Sequence, residues 1–122
     1  HPVVRENFTG EFVMHIITIP LPYRIAPATA ERQLQDIASD VCAPWLADAR
    51  HHMAMLEHKL MMDTPSVEPR IALQPASEKE YRLIVRIAVP QRERQRAEQA
   101  ILRRFMFACF PETDNNNIAD AD

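Results

Sequence analysis

The chain has 122 residues, 47% hydrophobic and 25% charged, with a formal net charge of −3. That is enough for one globular domain, and it gives no basic excess to favour nucleic acid as a partner. Gly10 is the only glycine, which excludes a glycine-rich phosphate loop, and ten prolines supply the punctuation instead.

The chain opens on His1-Pro2-Val3-Val4, without methionine, and reads as a piece of a longer protein. No basic-then-apolar leader stands at its start, and no apolar run approaches the ~20 residues of a membrane helix. Residues 1–10 read as a linker with a turn near Asn7–Gly10, 11–111 as an α+β domain, and 112–122 as a disordered acidic tail.

Glu11 to Leu21 has the β-branched content of a strand. Phe12, Met14, Ile16 and Thr18 share one face, and Val13, His15, Ile17 and Ile19 the other. Apolar residues on both faces predict cover on both sides in the intact molecule. His15 reads as a packing or interface residue. After a link over 22–27, a helix is expected from Ala28, with Ala30, Leu34, Ile37, Ala38, Val41 and Cys42 as its inner stripe. Pro44 predicts a kink or break, because its ring clashes with the carbonyl four residues back. Helical spacing resumes through Trp45, Leu46, Ala49, Met53, Leu56 and Leu60.

A breaker-rich loop follows over 63–69, then a short strand from Arg70 to Gln74 and a turn at Ala76-Ser77-Glu78. Tyr81 to Val89 alternates cleanly: Tyr81, Leu83, Val85, Ile87 and Val89 face one side, Arg82, Ile84, Arg86 and Ala88 the other. Gln91 to Phe107 reads as the last helix, with Ala97, Ile101, Phe105 and Ala108 inward, and Phe110-Pro111 could open one last short strand. The order β-α-β-β-α predicts an α+β sandwich of the ferredoxin-like, split β-α-β kind. It has an antiparallel sheet with helices on one face and a helical insertion over 44–62.

The residues offer little chemistry. His51, His52 and His58 lack the i, i+4 spacing by which two ligands on a helix reach one metal, so they read as a surface cluster. Met53, Met55, Met61 and Met62 could suggest a soft-metal or promiscuous binding patch, but Met53 and its neighbouring leucines fit an ordinary core stripe. Cys42 and Cys109 read as buried, reduced thiols, and Ser39, Ser66 and Ser77 lack a strained glycine elbow. Arg92, Arg94, Arg96, Arg103 and Arg104 are offset by Glu93, Glu98 and Glu112, which reads as a solvated helix face or a contact with an acidic neighbouring subunit. No catalytic, metal or cofactor-binding residue is assigned.

The run Pro2 to Thr9, with Asn7-Phe8-Thr9, followed by Glu11-Phe12 and the strand ending Ile19-Pro20, resembles the exit from the β domain in small-conductance mechanosensitive channels. Tyr81 to Pro90, then Arg94, Glu98, Ile101, Leu102 and Phe105, resembles that family's last long strand and following helix. The resemblance spans about residues 2–111. It implies a non-enzymatic cytoplasmic domain at the carboxy end of a bacterial inner-membrane channel. Such channels are commonly heptamers, whose domains enclose a vestibule and which release ions and osmolytes under tension. The extra helical stretch 44–62 and the weak final strand depart from the family pattern. A ligand-sensing regulatory α+β domain, and a metalloprotein or enzyme using the His51–His58 region, are the competing readings.

Overall fold

The computed structural model describes residues 11–112. The linker expected over 1–10, with Asn7-Phe8-Thr9, and the tail expected over 113–122 lie outside them. The elements run β1 (Phe12–Pro22), α1 (Pro27–Leu60), β2 (Arg70–Pro75), β3 (Glu80–Pro90), a 3-10 turn (Gln91–Glu93) and α2 (Arg94–Cys109). The fold of the described residues is α+β: three antiparallel strands in the order β1-β3-β2, and two α-helices. Phe110 caps α2, and neither it nor Pro111 enters a strand.

Four prolines sit inside strands, and the hydrogen-bond phase explains how. The Gln91 amide donates to the Glu11 carbonyl at 2.9 Å, immediately outside the Phe12↔Pro90 pair. Bonded pairs recur at every second residue. The odd-numbered residues of β1 therefore exchange bonds with odd-numbered residues of β3. The Ala76 amide donates to the Glu80 carbonyl at 3.3 Å, so even-numbered residues of β3 bond towards β2. Pro20 and Pro22 consequently lack amides only on the outer edge of β1, and Pro75 only on the outer edge of β2. Pro90 aims its missing amide past the end of β2, whose ladder stops at Arg70↔Arg86. Each proline occupies a position where the ladder needs no donor.

The same alternation sorts the side chains. Ile17, Ile19 and Leu21 of β1 and Tyr81, Leu83, Val85, Ile87 and Val89 of β3 are buried together beneath the helices. From α2 come Ala97, Ile101 and Phe105, whereas Ala108, expected inward, is exposed. From α1 come Ala30, Leu34, Ala38 and Cys42. Small residues dominate that stripe, so the helix backbone lies close to the sheet. The Tyr81 hydroxyl donates to the Ile25 carbonyl at 2.7 Å and ties the β1–α1 link to the central strand.

The break expected at Pro44 does not occur: α1 is one helix of 34 residues, ~51 Å long. Pro44 and Asp40 both lie on the exposed side, where water can solvate the carbonyl that loses its donor. The inner positions Cys42, Trp45 and Ala49 continue in phase across it. Their burial offsets the roughly 3 kcal/mol that an interior proline costs. Trp45 bridges to a second apolar cluster of Phe12, Ala49, Val67 and Ala88, joined by Met14, Leu46 and Met53. This cluster covers one end of the sheet's other face. Among the described residues the remainder of that face is open, with Ile16 57% exposed, and they cover this side of β1 only at the Phe12–Met14 end.

Candidate functional site

Beyond Ala49, α1 leaves the core. Met53 and Leu56 are half-buried, while Met55, Leu60, Met61 and Met62 are exposed. The core stripe expected of Met53 and its neighbouring leucines therefore ends at Leu56, and Leu60 stands exposed, because no helix or strand packs over the end of α1 among the described residues. Met61 ends the helix in the left-handed conformation (φ 54°, ψ 44°), and its amide donates to the Glu57 carbonyl at 2.8 Å. The Glu57 carboxylate accepts from the Thr64 hydroxyl at 2.7 Å and from its amide at 3.1 Å. These bonds, the hydroxyl first, hold its pKa below the ordinary value. Glu68, paired with Arg50, is likewise lowered, chiefly by that hydrogen bond and charge. The two carboxylates fold the 61–69 loop back along α1.

The histidines lie along this projecting segment. His51 and His58 are exposed, and His52 is half-buried with its ring 5.7 Å from that of Phe12. With Asp48, Met55 and Lys59 they line a shallow depression formed by one helix alone. Among the described residues, no three potential ligands gather closely enough to hold a metal ion. Ser66 and Ser77 sit in local turns, and Ser39 lies within α1. Ser66 and Ser77 accept from the amides of Glu68 and Lys79, and Ser39 accepts from the Gln35 side chain.

The best-formed polar constellation was not legible in the sequence. His15 of β1 and Glu98 of α2, 83 residues apart, meet with Nε2 and Oε1 2.5 Å apart. Arg94, Gln95 and Gln99 complete a cleft of about 430 Å³. A carboxylate that orients an imidazole can support proton transfer, but this lining supplies neither hydroxyl nor thiol to activate. In the fold, the pair joins β1 to α2. The expectation of His15 as a packing residue matches its half-buried place.

Cys42 is buried, and burial pushes its thiol up to about 11. Cys109 is half-buried and also raised, and both thiols are free. Neutral thiols are poor nucleophiles. The arginines of α2 are mostly engaged. Arg104 donates to Asp40 at 2.7 Å, Arg96 lies 3.6 Å from Glu93, and Arg103 lies over the Phe107 ring, 5.4 Å from its centroid.

Three other arginines converge on the open face of the sheet. Arg70, Arg82 and Arg86 project there beside Ile16, Ile84 and Ala72. Arg70 and Arg86 stand directly opposite each other in register. Arg86 donates to the Ser66 carbonyl at 3.3 Å, yet its buried Nε has no partner. The sequence alternation had placed Arg82 and Arg86 on this face; register with β2 adds Arg70. No helix among the described residues is long and apolar enough to cross a membrane. Comparison with protein-family models, curated proteins and solved structures finds no match.

Proposed function

We propose that this chain is the carboxy-terminal cytoplasmic domain of a small-conductance mechanosensitive channel, acting in assembly and in forming the vestibule below the pore. The observation that carries the reading is the passage from β3 into α2. Tyr81–Pro90 lies in the central strand β3, one 3-10 turn follows, and Ile101 and Phe105 of the family-like helix are fully buried beneath the sheet. The β-α-β-β-α order also suits a split β-α-β sandwich of the ferredoxin-like kind. The finer topology rests on the resemblance. On this reading the domain works without catalysis or cofactor, in a homo-oligomer, heptameric by resemblance, at the cytoplasmic side of a bacterial inner membrane. The full-length protein, expressed in channel-deficient cells, should protect them from hypo-osmotic shock. Absence of protection, with the protein present in the membrane, would count against the reading.

A further inference from the structure

α1 runs antiparallel to β1 and outlasts it. The Ile25 amide donates to the Pro22 carbonyl at 3.0 Å, so α1 starts beside the end of β1. At the other end of the strand, the His52 ring lies 5.7 Å from that of Phe12, and Ala49 is buried with Phe12. From Pro27 to His52 the helix rises about 38 Å, and β1 covers roughly 33 Å between Pro22 and Phe12. The near match means that the helix follows the strand, and that residues 53–60 extend about 12 Å past its start. The inner stripe continues over this extension. At about 100° per residue, Leu56 and Leu60 fall within roughly 20° of the direction of Ala49, which is 1% exposed. Leu56 is only half-buried and Leu60 is exposed. The neighbouring flank of α1 is taken by the 61–69 loop, through Thr64 on Glu57 and Glu68 on Arg50. The stripe itself stays open among the described residues.

The occupant is set by where the chain enters the sheet. The Glu11 carbonyl accepts from the Gln91 amide at 2.9 Å, so residues 1–10 join the fold at the start of β1, beside His52. They carry Val3, Val4 and Phe8. Phe8 stands four residues before Phe12, a reach of up to about 13 Å. Leu56 and Leu60 lie about 6 Å and 12 Å along the helix from His52. Phe8 can reach both, and its tether gives it an effective concentration at the stripe that a separate partner lacks. We infer that residues 1–10 dock along the projecting end of α1, with the Phe8 ring seated on Leu56 and Leu60. The contact prolongs the cluster of Phe12, Ala49, Val67 and Ala88 beyond the sheet. A phenyl ring is the side chain in this segment with the most apolar area to bury there. This is a property of the domain itself and stands independently of the channel reading.

Hydrogen exchange of the whole chain, read by mass spectrometry, tests it. Phe8→Ser should speed exchange of the amides of residues 56–61 about tenfold and leave β3 unchanged. Phe8→Leu, which keeps an apolar anchor, should preserve their protection. The contact is reciprocal, so Leu56→Ser with Leu60→Ser should speed tryptic cleavage after Arg5 about tenfold. Circular dichroism checks that the variants remain folded. If the double variant does not, Leu60→Ser alone replaces it, since Leu60 is exposed among the described residues, and it too should speed that cleavage. A Phe8→Ser chain whose residues 56–61 exchange like those of the unmodified protein overturns the inference. So does cleavage after Arg5 at one rate in the folded helix variant and the unmodified chain. Exchange at 56–61 that slows with protein concentration and ignores Phe8 overturns it as well, and gives the stripe to a second copy.

Discussion

Replacing Ile16 and Ile17 in turn by proline tests the hydrogen-bond phase of β1. Ile16 aims its amide at the outer edge and its side chain at the open face, where it is 57% exposed. Proline there costs no ladder bond, and the loss of partly exposed apolar surface and strand fit comes to about 1 kcal/mol. Ile17 is 4% exposed and lies opposite Val85 in a bonded pair. Proline there removes that bond and leaves the Val85 carbonyl without its donor, about 1–3 kcal/mol. It also trims a core side chain, adding about 1–2 kcal/mol. Ile17→Pro should therefore destabilise by roughly 3 kcal/mol more than Ile16→Pro in urea unfolding followed by circular dichroism. Equal losses, or the reverse order, would refute the phase and with it the account of Pro20 and Pro22.

Other consequences are as direct. Met61 holds a left-handed backbone at the end of α1, so Met61→Gly should stabilise by about 1 kcal/mol in the same assay. Glu57 and Glu68 have folded-state pKa values below the ordinary carboxylate value near 4.5. Their contribution is full above that value and is lost as pH falls through the lowered folded values. A Glu57→Gln, Glu68→Gln variant should accordingly lose less stability between neutral and acid pH than the unmodified chain, measured by thermal unfolding across pH. Cys42, buried with its thiol raised to about 11, should resist thiol reagents at neutral pH until the chain unfolds, as followed by labelling and mass spectrometry in increasing urea.

Strand alternation was fully legible in the sequence. Tyr81, Leu83, Val85, Ile87 and Val89 face the core as their spacing requires, because a period of two admits only one register with that face buried. Pro44 misled, since a proline's cost depends on which side of a helix faces water, and single-sequence periodicity does not show what packs across the break. The exposed end of α1 was illegible for a similar reason. Its apolar spacing suits a core, but whether anything covers it is decided by distant elements. The His15–Glu98 pair required knowing that α2 returns beside β1, a contact 83 residues apart. Arg70 joined Arg82 and Arg86 only through the β2–β3 register, which the turn between the strands sets.

The channel reading meets its most direct test in membrane patches. Patches from channel-deficient cells that express the full-length protein should show a conductance that opens with applied suction and closes on its release. Patches that contain the protein and stay silent up to the tension that ruptures the membrane would contradict the account.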